Sequence, residues 1–529
     1  MAKLLLSSTE GKCIVMSKQY LLSIDNGTQS IRAIIFDKNG LELAKSTIPI
    51  TPYFSTQAGW AEQNPIYFWE SVCKATNTLW SQTKIQKSDI KAVSVTTQRA
   101  TIVTLDDKGR PLRPAISWLD LRKVNTKPKL NFLQSAILTI LGAKDFVDLL
   151  HQNSEANWLE QYEPKTWKLV KRFILLSCYQ NYKLTGNFKD SVASTVGYLP
   201  FDFRNQRWAE NKSFQWKTMP VTLDMLPTLV EAGEALGHVT LEASVATGIP
   251  EGIPVIASGS DKACEVLGTG CIDNTMANLS FGSLATINTS SIKYLEALKF
   301  HPAYPGVIPG SFNIEMMLQR GFWMIRWFIK ELGDLERQTA SKKNVSPESL
   351  LNALITAVPA GSDGLILQPY WSPSNGDKEE TRGAIIGFTE IHTRAHIYRA
   401  MIEGILFAMR QRKEVLEKTV GNKFEKIVIS GGGSQSDEIM QITADILGTK
   451  IYRSKVYEAS SLGAAIASAV GIRIYPNFES AVKGMVKVGT EFEPNESNKL
   501  LYNQIYESIF KNLLDDLQPT YKKIKSLFN

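Results

Sequence analysis

Residues Tyr20 to Asp37 read YLLSIDNGTQSIRAIIFD, and the fold turns on this stretch. Two apolar, β-branched runs flank the polar turn Asp25-Asn26-Gly27-Thr28-Gln29-Ser30, the pattern of strand, tight turn, strand. Gly27 has the freedom to take a positive φ and reverse the chain sharply. Such a turn offers backbone N–H groups and small hydroxyls together, as a nest for phosphate oxygens. Asp25 would repel a phosphate there. A divalent metal resolves the conflict, because Mg²⁺ commonly sits between one or two carboxylates and substrate phosphates. An ordinary hairpin closed by an Asx-type turn has the same appearance, so the rest of the chain must decide.

A chain of 529 residues exceeds the usual single-domain size, and two large domains are expected. The net charge of +7 is small for this length and the basic residues are dispersed, so nucleic acid is not expected as a partner. Cys13, Cys73, Cys178, Cys264 and Cys271 show no metal-ligand spacing and read as reduced thiols of a cytoplasmic protein. No stretch is apolar for long enough to span a membrane. Residues 1–17 carry no cleavage pattern and read as a disordered N-terminal extension.

Working outward, Leu41–Ile50 reads as a third strand, and Pro65 opens a helix to about Thr83. Ile90–Val95 reads as a buried strand running into Thr96-Thr97-Gln98-Arg99. Thr166–Leu184 reads as one helix. Pro254–Ala257 is a short apolar strand leading to Ser258-Gly259-Ser260-Asp261-Lys262-Ala263, the expected domain boundary. Beyond it, Asn278–Ile287 repeats the opening logic, with Gly282 and Ser283 in the turn. A duplicated hairpin predicts two related domains facing each other across a cleft. Gln319–Leu332 reads as a helix with Gly321 near its start, Arg394–Val420 as a long helix, and Ala459–Val470 as a helix of small residues. Exposed helices are expected beyond Asn495.

Three constellations bear chemistry. Lys426–Ser430 followed by Gly431-Gly432-Gly433-Ser434 and a helix from Asp437 suits a nucleotide, with flat glycine backbone and a helix N-terminus. Asp261, on its Gly-Ser loop, has the character of a base accepting a proton from an attacking hydroxyl; it is also a fitting N-cap for the helix after it. Gln98, Arg99, Trp118, Asp120 and Arg122 combine donors, acceptors and an aromatic plane, which suits a polyhydroxylated ligand. His392 and His396 have zinc-like spacing but no Glu follows the first, and they read as structural or exposed.

Taken in order, these pieces resemble the FGGY carbohydrate kinases of the actin/hexokinase-like superfamily, over about residues 18 to 475. The resemblance rests on SIDNGTQSIR at 23–32, GWAEQNP at 59–65, TTQRATIV at 96–103, ISWLDLR at 116–122, GSDKA at 259–263, SFGSLATI at 280–287, the run from Gly383 to Gly404, ISGGGSQSDEIMQITADILG at 429–448 and EASSLGAAIASAVG at 458–471. It implies an α/β fold of two ribonuclease-H-like (actin-like ATPase) domains with an interdomain cleft, divided as 18–263 and 264–529. It implies ATP and Mg²⁺ as cofactors and a sugar or polyol as acceptor. Asp25 is then the metal residue of a phosphate loop with Gly27, Thr28 and Gln29. Ser283 takes the place of a phosphate-loop Thr. Gly321, Gly432, Gly433 and Asp437 fall where the family contacts the nucleotide. Asp261 is the base, and Gln98, Arg99, Trp118, Asp120 and Lys262 join it around the sugar. The expected assembly is a homodimer.

The chain departs from relatives of known substrate. Glycerol kinases read Gln-Arg-Glu where this chain has Gln98-Arg99-Ala100, so a glycerol-binding carboxylate is missing. The Met-His pair usual in xylulose kinases is absent too, while Asp120 resembles the substrate-loop Asp of pentulose kinases. The rival reading is a catalytically degenerate nucleotide-binding sensor on the same fold, against which intact Asp25 and Asp261 argue.

Overall fold

The computed structural model describes residues 19–128, 130–372 and 380–528; the expected extension over residues 1–17 lies outside them. Two mixed sheets organise the chain. The first runs Ala235–His238, Pro254–Ile256, Ile90–Thr97, Tyr20–Asn26, Ser30–Phe36, Glu42–Pro49. Its opening three strands form an antiparallel meander, and Tyr20–Asn26 then pairs parallel to Ile90–Thr97. The second runs Tyr304–Pro305, Phe312–Leu318, Ala285–Ser291, Met276–Phe281, Lys426–Ser430, Ile451–Ser454, Val488–Phe492. It repeats the plan: Met276–Phe281 pairs antiparallel with Ala285–Ser291 and parallel with Lys426–Ser430. The duplicated hairpin is thus part of a duplicated topology.

The strand Tyr20–Asn26 is buried along nearly its whole length, as helices covering both faces of a central strand require. Register does the rest. Asp25 lies opposite Arg32 on one side and beside Thr96 on the other. Polar ends of neighbouring strands therefore collect at the carboxyl edge of the sheet, where open α/β sheets bind ligands.

The helix Asp261–Gly268 packs against the helix Ala459–Gly471, which also lies on Tyr20–Asn26 and Ile90–Thr97. A Cβ on Gly268 would stand 1.9 Å from the Ala459 carbonyl oxygen, and one on Gly463 1.9 Å from that of Cys264. Glycine is required because the two backbones touch. The Ser94 hydroxyl donates to the Ala464 carbonyl across the same contact, at 2.9 Å.

Several sequence expectations are corrected. Thr166–Leu184 is not one helix: Pro164–Trp167 is a short turn of helix, Arg172–Leu175 a strand, and Leu176–Thr185 a second helix. The apolar strand pairs with Ile102–Leu105 in a four-stranded sheet that also holds Glu62–Gln63 and Ala115–Ile116, a partner that helical periodicity does not reveal. The expected helix over 319–332 starts later, at Trp323, because Arg320 takes a positive φ and breaks the chain after the strand Phe312–Leu318. The C-terminal helices Glu496–Ile505 and Lys511–Phe528 are not merely exposed: Tyr502, Tyr506, Phe510, Leu513 and Tyr521 are buried in the second lobe.

Candidate active site

The phosphate turn forms where the first hairpin ends. Gly27 does not take the expected positive φ, and a Cβ there would make only ordinary contacts, 3.4 Å from the Ser30 carbonyl oxygen and 3.8 Å from Asp25 Oδ1. Asp25 is buried, and Oδ2 accepts from Arg32 Nη1 at 3.0 Å. Arg32 Nε also lies 3.3 Å from Glu458 Oε2, which ties the hairpin to the helix Ala459–Gly471. Burial pushes the Asp25 carboxyl up to about 6, Arg32 opposes this, and the charges of Glu458 and Asp261 add to it. Asp25 and Asp261 therefore share one electrostatic environment. Thr28 donates to Gln98 Oε1 at 2.9 Å, and the Trp118 indole N–H reaches Thr28 Oγ1 at 3.1 Å and Gln98 Oε1 at 3.2 Å. Gln29 accepts from Arg326 Nη1 at 2.8 Å, a bond between the lobes.

Asp261 is the first residue of its helix, not the cap. Ser260 caps it, accepting from the Ala263 N–H, because its hydroxyl is the group that reaches that amide. Asp261 Oδ1 accepts from the Lys262 N–H at 2.8 Å. Thr96, next to Asp25 in register, donates to the Gly259 carbonyl at 2.9 Å and so joins the two carboxylate-bearing segments. Burial raises the Asp261 carboxyl above the usual range, with Arg99 and Lys262 opposing. Burial works against the charge on Lys262 too, but Glu265 and Asp261 beside it hold its pKa above the ordinary value. Lys262 Nζ donates to Glu265 Oε2 at 2.6 Å and to Ser280 Oγ at 2.9 Å, which links the helix to the second sheet.

Within reach of the Asp261 charge, Arg99 Nη2 donates to Glu315 Oε1 at 3.0 Å, and the guanidinium lies over the Tyr304 ring. Ala100 follows with a positive φ of 50°. Asp120 is present in this region with its oxygens occupied. Oδ1 accepts from Arg122 N and Nε, and Oδ2 from Ala61 N and Arg122 Nη2, all at 2.6–2.9 Å.

The glycines expected at the nucleotide, Gly321 and Gly433, pack against the second hairpin and the Phe322 ring beside it. Gly431 has a φ of 85°, and a Cβ there would stand 2.9 Å from the Phe281 backbone. A Cβ on Gly433 would meet the Phe322 ring at 2.6 Å, and one on Gly321 the Ala285 nitrogen at 2.4 Å. Gly432 and Ser283 are exposed on the same rim. Asp437, also exposed, pairs with Arg453 Nη2 at 2.5 Å, and Arg453 Nε donates to the Ser434 carbonyl.

Sequence reasoning missed Arg32, Glu315, Tyr304 and Arg453. Arg32 had a signal: in a hairpin turning at Gly27–Gln29 it falls opposite Asp25. Glu315 and Tyr304 had none, because their partners are more than 100 residues away in sequence.

The profile for the N-terminal domain of the FGGY family of carbohydrate kinases matches residues 20–268, and that for the C-terminal domain matches 277–472. The chain belongs to the FGGY family of carbohydrate kinases. This FGGY kinase is 30% identical over 509 residues to an uncharacterized sugar kinase, YgcE, of Escherichia coli (strain K12), covering 96% of each chain. It is 28% identical over 501 residues to the xylulose kinase of Lactococcus lactis (strain IL1403), covering 93% of this chain and 97% of that one. Ligand-bound xylulose kinase from Lactobacillus acidophilus has the same fold, with a TM-score of 0.80 at 19% identity over 96% of this chain and all of that one. The fold is therefore the two-domain α/β architecture of the actin/hexokinase-like superfamily. As an FGGY kinase the protein is an ATP-dependent phosphotransferase acting on a carbohydrate hydroxyl.

The donor set of this FGGY kinase fits a nucleotide-borne Mg²⁺. Burial, Glu458 and Asp261 all favour a proton on Asp25, a strain that a cation beside its carboxylate would relieve, and Mg²⁺ needs few protein ligands when phosphates and waters complete its shell. Among the described residues no group of three or more His, Cys, Asp and Glu forms a metal cage; His392 and His396 instead support the start of the helix Arg394–Val420. No described helix is long and apolar enough to cross a membrane.

Proposed function

We propose that Asp261 is the general base of a Mg²⁺-dependent transfer of the γ-phosphate of ATP to a sugar or polyol hydroxyl. The observation that carries this reading is the environment of Asp261: a half-buried carboxylate that feels the charges of Arg99 and Lys262 and itself acts on Asp25. Burial makes it a stronger base, and the two cations keep it ionised enough to accept a proton. Mg²⁺, held near Asp25 with the nucleotide, neutralises phosphate charge.

Thr28 and Ser283 approach the phosphates from the two hairpins. Gly321, Gly432 and Gly433 let backbone lie against the nucleotide, and Asp437 stands at its adenosine end. Gln98, Arg99 and Trp118 orient the acceptor, and Lys262 lines the path between acceptor and phosphate. Asp120 acts by holding Arg122. Residues 18–263 and 264–529 form the two lobes, and their closure on the acceptor excludes water that would otherwise hydrolyse ATP. The homodimer and the absence of a nucleic-acid partner belong to the same reading.

ADP release with and without a panel of polyols, pentuloses, hexuloses and aldonates tests it. Stimulation by at least one acceptor, with a phosphorylated product, is expected. ADP release that no acceptor stimulates favours the sensor.

A further inference from the structure

The wall beyond Trp118 holds a buried cluster that the reaction described above does not use. Arg122 packs against the edge-to-face pair Trp60 and Trp158, whose ring centres lie 4.0 and 4.5 Å from its guanidinium carbon. Its Nε and Nη2 are spent on Asp120, and Nη2 also donates to Glu62 Oε1 at 2.8 Å. Nη1 is buried and, among the described residues, has no partner. Glu155, the first residue of the helix Glu155–Tyr162, belongs to the same cluster. It is 8% exposed, and its Oε2 is likewise buried without a partner among the described residues.

The charges do not balance. Glu62, Asp120, Glu155 and Glu163 face Arg113 and Arg122. Glu62 accepts from both arginines, Asp120 from Arg122, and Glu163 from Arg113 at 3.0 Å. Glu155 is left without a cation. Burial, with Asp120 adding and Arg122 opposing, pushes its carboxyl up to about 8. At neutral pH it therefore carries a proton and offers both a donor and an acceptor. A buried polar group left unpaired is destabilising. Two such groups lie in one aromatic cluster, closed off in this structure and each without a partner among the described residues.

The turn that carries Asp120 also carries Trp118, whose indole reaches Thr28 and Gln98. On the other side, the Tyr198 phenol lies within electrostatic range of both Glu155 and Tyr304, and Tyr304 lies under Arg99. Two tyrosines thus separate Glu155 from Arg99. An acceptor whose reacting hydroxyl lies at Asp261 meets Glu155 through its remote end, provided that it has several carbons.

We propose that Glu155 and Arg122 Nη1 form the far wall of the acceptor subsite and bind a hydroxyl remote from the transferred phosphoryl, selecting five- and six-carbon acceptors over three-carbon ones. This rests on Asp261 as the base of the same site. A hydroxyl completes both groups at once, since it accepts from the guanidinium and exchanges a hydrogen bond with the carboxyl. Glu155 is then a specificity residue, with no part in the proton transfer.

The test compares wild type, Glu155→Gln and Glu155→Ala in steady-state assays. The probes are glycerol and the best-used acceptor among D-xylulose, L-ribulose, D-fructose and D-gluconate. Loss of about two hydrogen bonds by Glu155→Ala lowers the kcat/KM ratio of long acceptor to glycerol by about tenfold. The loss falls on the acceptor KM, with the ATP KM unmoved. Glu155→Gln keeps a donor and an acceptor at the same reach and retains most of the ratio. An unchanged ratio in Glu155→Ala means that the cluster holds a water alone, and overturns the inference while the kinase reading stands. Wild type that phosphorylates no acceptor of the five overturns both. Thermal melting of Glu155→Gln separates these outcomes from misfolding.

Discussion

Arg99 and Glu315 form an ion pair between the two sheets, Nη2 to Oε1 at 3.0 Å, with Glu315 buried. The pair matters because each partner comes from a different sheet: Arg99 follows the strand Ile90–Thr97 and Glu315 lies within Phe312–Leu318. Arg99, proposed above to orient the acceptor, therefore also ties the two sheets together.

Arg99→Ala should raise the acceptor KM by about tenfold or more, since hydrogen bonds to charged groups contribute about 1.5–3 kcal/mol each. The ATP KM should change by less than about threefold. Steady-state kinetics with each substrate varied in turn decides it. Equal effects on both would place Arg99 outside the acceptor site.

Asp261→Asn keeps the shape of the side chain and removes its basicity. The expected loss in kcat is roughly 10²–10⁴-fold, with nucleotide affinity retained. Calorimetric titration with ADP alongside a turnover assay measures both. Near-normal turnover would remove Asp261 from the role.

Asp25 titrates near 6 in the free protein because burial outweighs Arg32. Below that pH the carboxyl holds a proton that a cation must displace. Affinity for Mg²⁺–ADP should therefore fall as the pH drops below about 6, by up to about tenfold per pH unit. Asp25→Asn should abolish this dependence. Calorimetry between pH 5 and about 8 reads it out.

Glu155 has a folded pKa of about 8 against an ordinary 4.5. Between these values the folded chain holds a proton that the unfolded chain releases, so the stability contributed by this group falls as the pH rises. Glu155→Gln should then be more stable than wild type, by an amount that grows through this window to about 5 kcal/mol above pH 8. Below pH 4.5 the two should coincide. Urea melts across that range test the sign.

Gly463→Ala places a methyl 1.9 Å from the Cys264 carbonyl oxygen and forces the two packed helices apart. A cost of about 1–3 kcal/mol is expected. Because the helix Asp261–Gly268 carries the base, turnover should fall along with the denaturation midpoint.

Local chemistry in the chain determined a good deal. The strand–turn–strand at Tyr20–Phe36 and its echo at Met276–Ser291 were readable because apolar alternation, turn residues and small hydroxyls lie within a few positions of each other. The helices Arg394–Val420 and Asp437–Leu447 and the strand Lys426–Ser430 were legible to the residue for the same reason. Asp25, Asp261 and the glycine runs stood out because each contradicts its apolar surroundings.

Tertiary structure alone decided which polar groups are free and which are spent. Asp120 looked like a substrate ligand, but Arg122 and Ala61 occupy its oxygens. Glu155 opens the helix Glu155–Tyr162, as acids often do, and only the packing around it leaves its Oε2 unpaired among the described residues. Arg99 meets Glu315 across 216 residues of chain. Sequence periodicity reports the face a residue presents within its own element. Partners on other elements depend on sheet order and lobe closure, and these set the pairing, the desolvation and so the chemistry of each side chain.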